Sequence, residues 1–161
     1  MIDPVGTIEL KEPLRADVAA HLESVRLIGE DLELRPPRFA PLAVKVTVCA
    51  DDAYWREDVR FVLEQEFSDG YTSDGRRGFF HPDEWTFGQS LHRSAIEGCV
   101  HRVAGIAHLV SIEMRRLNVP SPPVASPEVL EMAFDEVVLA ANDPDHFERG
   151  FVRFTVLGGR Q

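Results

Sequence analysis

Residues 41–48, Pro41-Leu-Ala-Val-Lys-Val-Thr-Val48, constrain the fold more than any other stretch of this chain. Leu42, Val44, Val46 and Val48 alternate with Ala43, Lys45 and Thr47, so one side of an extended strand is apolar and the other is wet. Such a strand needs helices or a second sheet over its apolar side. Three helical segments are available. Pro13–Ile28 carries Leu14, Val18, Leu22 and Val25 on one stripe and stops at Gly29. Ala53–Phe67 follows Asp51 and Asp52 as caps and offers Tyr54, Val59, Val62, Leu63 and Phe67. Gln89–Ala104 is the third. Further strands are expected at Ile106–Leu117, Val129–Leu139 and Phe151–Leu157.

The fold class read from this pattern is α+β, with two or three helices on one face of a mainly antiparallel sheet. Its core should come from the inward positions of Pro41–Val48, Ile106–Ile112 and Phe151–Leu157, against the stripes of the helices. Four segments follow. Residues 1–40 hold the first helix and a connecting strand (Asp31–Arg35, ended by Pro36-Pro37), and 41–117 form an α/β core with an aromatic loop at 68–88. Residues 118–127, with four prolines, are a linker, and 128–161 complete the same domain. At 161 residues, a chain of this kind buries enough surface to fold without metal or disulfide. Cys49 and Cys99 sit in apolar runs and read as small core residues in a reducing compartment. No apolar run approaches the ~20 residues that cross a bilayer, and Met1–Gly6 lacks a basic-then-apolar signal.

Charge narrows the partner class. There are 17 basic and 27 acidic residues, a net of −10, which argues against nucleic acid as a partner. The excess is concentrated in Glu128–Arg149, where seven acidic residues meet one basic one.

A search for chemistry returns little. His92 and Cys99 are seven residues apart on one helix, ~10.5 Å along its axis, beyond the reach of a Cys–His pair. His101 and His108 straddle Gly105, and neither HxxxH nor CxxC occurs, so no metal set is expected. Asp143-Pro-Asp-His146 lacks the spaced ligands of a calcium loop and reads as a turn. No glycine pattern matches a phosphate loop, and no cofactor is expected. The enzyme reading that survives is a small hydrolase using His81 or His92 with Asp83 or Glu84. A third reading is an adaptor that binds a basic partner through the acidic segment.

The loop Arg76-Arg-Gly-Phe-Phe-His-Pro-Asp-Glu-Trp-Thr-Phe-Gly88 is different in kind. Phe79, Phe80, Trp85 and Phe87 fall within ten residues of apparent coil. Exposed together they would exceed the apolar patch a soluble monomer tolerates. They must fold onto the domain's own core or onto another protein. Arg76 and Arg77 beside them fit an interface, where arginine and aromatics are enriched.

This loop also carries a family resemblance. Asp74-Gly-Arg-Arg-Gly-Phe-Phe-His-Pro-Asp-Glu-Trp-Thr-Phe-Gly-Gln-Ser-Leu91 resembles a segment of the baseplate J-like family of baseplate assembly proteins, found in contractile phage tails and contractile injection systems. Other strings agree in order. They are Leu27-Ile-Gly-Glu-Asp-Leu-Glu-Leu-Arg-Pro-Pro37, Pro41–Cys49, Val103–Val110, Ala141–Gly150 and Leu157-Gly-Gly-Arg160. They resemble the C-terminal portion of those longer proteins. The resemblance implies a structural wedge or assembly scaffold and no catalysis. Its implied partners are other wedge, hub and sheath-proximal proteins in a six-fold assembly, not nucleic acid or membrane. It also implies assembly in the cytoplasm, followed by residence in the particle. On this reading the interface residues are Arg76, Arg77, Phe79, Phe80, Trp85 and Phe87.

Overall fold

The computed structural model describes residues 11–27, 29, 31, 33–120 and 127–161. The chain divides into two units, Met1–Arg38 and Phe39–Gln161. The first contains helix α1, Glu12–Val25. Pro13 sits in its first turn, where its missing N–H costs nothing. No α1 residue is buried: Leu14 is 41% and Val25 64% exposed. The stripe expected to join the core is thus not part of it. Ile28, Leu32 and residues 121–126 of the Pro-rich linker lie outside the described residues.

The second unit is built on β1, Arg38–Trp55, much longer than the alternation alone implied. It is followed by α2 (Arg56–Glu66), β2 (Leu91–His92), α3 (Arg93–Val100) and β3 (Ile106–Arg116). The chain ends with β4 (Val129–Leu130), β5 (Glu136–Leu139) and β6 (Phe151–Arg160). The fold is α+β with mainly antiparallel sheets, as expected. A four-stranded sheet has the order β3-β1-β5, with β6 also paired to β1, and β2 pairs with β4. β1 and β3 are antiparallel, whereas β1 and β6 run parallel, from Ala43 opposite Phe151 to Ala50 opposite Gly158. The parallel pair needs a crossover, and α2, packed on β6, lies within it.

Even-numbered β1 side chains, Ala40 through Ala50, form the core with Val59, Leu63 and Phe67 around α2 and Ile96, Cys99 and Val100 of α3. β3 contributes Ile106, Leu109, Ile112 and Met114. Their uneven spacing is reconciled by register shifts opposite Thr47/Val48 and Cys49/Ala50, which return the apolar side chains to one face.

Four boundaries differ from expectation. Asp51 and Asp52 are not helix caps. The strand continues to Trp55, which pairs with Arg160, and the Asp51 carboxylate accepts the Ala53 N–H at 2.8 Å. α3 is shorter than Gln89–Ala104 because Leu91–His92 hydrogen-bonds with Val129–Leu130. Val129–Leu139 is two strands, since Glu136 N–H bonds back to the Ala133 carbonyl at 2.9 Å and closes a turn. β6 runs on past Leu157 to Arg160.

Candidate interaction surface

The loop between α2 and β2 is tied to its neighbours by backbone hydrogen bonds. Thr72 N–H bonds the Arg76 carbonyl (2.8 Å), and Gly78 N–H bonds the Gly70 carbonyl (2.8 Å), closing a tight turn around Asp74-Gly75. Gly75 there has φ +80°, a conformation glycine adopts without strain. Phe79 N–H then reaches the Glu66 carbonyl at 2.7 Å, and Phe80 N–H the Ser68 carbonyl at 3.1 Å. This docking requires glycine at 78, where a Cβ would lie 2.3 Å from the Ser68 carbonyl oxygen.

The aromatic rings form one stack under this loop. Phe80 is 4% exposed, and Phe79 and Trp85 are partly buried against the core. Phe79 stands edge-on to Phe80 (4.9 Å between centroids), while Trp85 lies nearly parallel to Phe80 at 6.0 Å. Phe67 joins them 5.2 Å from Phe79, and the Trp85 indole N–H donates to the Phe79 carbonyl at 2.8 Å. Phe87 is half-buried. Of the six residues singled out from the sequence, Phe79, Phe80 and Trp85 therefore pack on the domain's own core, one of the two placements open to them. Arg76 and Arg77 stay exposed.

Both guanidiniums are engaged. Arg76 pairs with Glu66 and, at 2.7 Å, with Asp74. Arg77 spans Asp83 and Glu84, each at 3.1 Å. The hydrogen bond from the Thr72 hydroxyl, and then that from Arg76, holds the Asp74 carboxyl down at about 2. Arg76, Arg77, Phe79 and Trp85 line a cleft of about 240 Å³ with Glu66, Glu84 and Arg102; Phe80 and Phe87 do not line it. Cys99 sits at its floor, and burial pushes its thiol up to about 11, which keeps it protonated and unreactive.

The groups considered for hydrolysis are used locally. His81 is buried, and its Nδ1 accepts the Asp83 N–H at 3.2 Å, capping the short turn Pro82–Glu84. The Asp83 and Glu84 carboxylates face Arg77, and His92 is exposed in β2. Among the described residues, no three His, Cys, Asp or Glu side chains converge on a metal position. Asp143 accepts the Asp145 N–H at 2.9 Å, as a turn-forming carboxylate does. Part of the acidic segment is internal: Glu136 is 4% exposed and bonds Arg116 at 2.6 Å and the Ala133 N–H at 2.9 Å.

The exposed apolar residues lie elsewhere. Phe134 is 83% exposed, Tyr71 63% and Phe61 58%. Tyr71 and Phe61 border one shallow hollow across Gln65 and Asp69. Near β6, Phe147 and Phe151 meet edge-on, and the Arg153 guanidinium lies 4.8 Å from the Phe151 ring and 5.6 Å from that of Phe147. Sequence reading did not single these residues out, because none belongs to a dense aromatic cluster like that of the loop.

No family model matches the chain, and no curated protein matches it. No described helix is long and apolar enough to cross a membrane.

Proposed function

We propose that this chain is a structural component of a phage-tail-like baseplate, a wedge or assembly scaffold acting through protein–protein contacts. The observation that carries the reading is the ordered series of baseplate J-like strings, from Leu27 to Arg160, led by the Asp74–Leu91 segment. The fold is compatible with that role. Asp74–Leu91 builds a rigid aromatic bracket, with its charged groups in ion pairs and its histidine capping a turn. Such a bracket can hold the exposed Arg76 and Arg77 in fixed positions, so their part in an interface would be to present charge while the rings beneath set the shape.

The partners on this reading are other wedge, hub and sheath-proximal proteins of a six-fold particle. The test is deletion of the gene in its native host, with electron microscopy of particles from lysates. Tubes and sheaths without baseplates, restored by the intact gene, are the expected result. Normal particles, or no particle-forming genes beside this one, refute the assignment.

A further inference from the structure

One edge of the main sheet stops short of completion. β6 bonds β1 along one side, and no other strand among the described residues pairs with it. The Val152 N–H points away from β1 and is taken by the Asn142 side-chain oxygen at 2.6 Å. Backbone groups alternate in direction along a strand, so the N–H and C=O of Phe154 and Val156 face that same outer side. There they have no partner among the described residues. The chain itself runs beside this edge just before β6: Ala141 N–H bonds the Arg149 carbonyl (3.2 Å) and Asn142 N–H the Gly150 carbonyl (3.1 Å). At Asn142, with φ +53°, it turns away.

What it leaves is a groove of about 330 Å³ along Phe151–Phe154. Phe151 and Arg153 share the face of Lys45, opposite the helices, and with Phe147 they form one wall. Glu64, Ser68 and Asp69, at the end of α2, form the other.

We propose that this outer edge of β6 accepts an extended, cationic segment of a partner protein as an added strand. The backbone supplies the pairing, as in strand addition generally. The wall of Phe147 and Phe151 takes apolar side chains, and the opposite wall takes a lysine or arginine. Among the described residues no lysine or arginine forms an ion pair with Asp69, and burial raises its carboxyl above the ordinary value even with His81 lowering it, so a lysine or arginine beside it would offset that burial cost. Glu64 already pairs with Arg60 at 3.0 Å. A second copy of this chain is the poorer occupant, because each carries −10 and the two would repel.

The inference stands on the fold and does not depend on the baseplate reading. Its test uses the full chain and a fluorescein-labelled hexapeptide of alternating valine and lysine, read by anisotropy and by amide NMR shifts. Saturable binding should move the Phe154 and Val156 amide resonances. N-methylation of alternate peptide residues should weaken it about tenfold, the loss expected for one or two backbone hydrogen bonds. Asp69→Asn should weaken the lysine peptide and leave a norleucine version unchanged. Absent saturation, equal binding of the N-methylated peptide, indifference to Asp69→Asn, or shifts confined to other residues would each overturn the proposal.

Discussion

Truncating Phe80 to alanine separates packing from adhesion. The ring is 4% exposed, edge-on to Phe79 at 4.9 Å, stacked on Trp85 at 6.0 Å and 6.4 Å from Phe67. Removing a ring from such a site forfeits its transfer energy and leaves a void, together about 3–5 kcal/mol. A domain of this size is stable by about 5–15 kcal/mol, so Phe80→Ala should remove about a fifth or more of the total. With a urea slope of about 2 kcal/mol/M, the midpoint falls by about 1.5–2.5 M. Far-UV circular dichroism is the suitable readout, because the Trp85 indole sits against the deleted ring. Phe134→Ala is the control: at 83% exposure it should change stability by less than about 0.5 kcal/mol. A loss below about 1 kcal/mol at Phe80 would refute the packing argument.

Gly150→Ala should destabilise by at least about 3 kcal/mol in the same titration, since φ +87° with ψ 152° suits glycine alone and the new Cβ would lie 2.4 Å from the Leu139 carbonyl oxygen. Gly98→Ala should do the reverse and add about 0.5–1 kcal/mol, because this α3 position is helical with nothing within 4 Å of the added carbon. Arg116→Met should cost about 3–5 kcal/mol by stranding the buried Glu136 carboxylate; adding Glu136→Met should recover part of that, and a double mutant as unstable as the sum would refute the pairing. Asp74 has its carboxyl held at about 2, below the unfolded value near 3.8, so its stabilising contribution is complete above about pH 4 and disappears as pH falls toward 2. The melting-temperature gap between wild type and Asp74→Asn should therefore be wider at pH 6 than at pH 2.5 and shrink with added salt.

Period-two alternation made β1 legible because its two faces see different solvents, and every even position from Ala40 to Ala50 is buried. The end of the strand was not legible. Ala50–Trp55 carries no alternation, and it stays extended because residues distant in sequence hold it. The Asp51 N–H bonds the Gly105 carbonyl at 2.8 Å, and Trp55 pairs with Arg160. The capping reading of Asp51 and Asp52 failed for the same reason: a local side-chain preference lost to a ladder formed across about a hundred residues. β3 hides its pattern differently, through register shifts that no composition encodes. In α1 the stripe was visible, but a stripe says only that a helix can be covered, and nothing in those residues fixes what covers it.

The aromatic loop makes the same point about function. Density of rings in a coil demands a cover, and both a partner's surface and the domain's own core satisfy that demand equally well in sequence. The decision rests on Gly78, whose lack of a side chain lets the loop backbone sit on Ser68. It also rests on two amides, Phe79 and Phe80, that find the carbonyls of Glu66 and Ser68. Once those contacts form, the rings of Phe79, Phe80 and Trp85 are used internally, and adhesion falls to exposed groups, Arg76 and Arg77 among them. Phe134 and Tyr71 are such groups, and so is the outer edge of β6, where the donors and acceptors belong to the backbone and no residue type announces them. If assembly is the role, it follows that Phe80→Ala should act through stability, whereas Asp69→Asn, at the start of the same loop, should weaken partner capture at unchanged melting temperature. Equal losses of stability from both substitutions would mean that the β6 edge, too, is part of the fold's own packing.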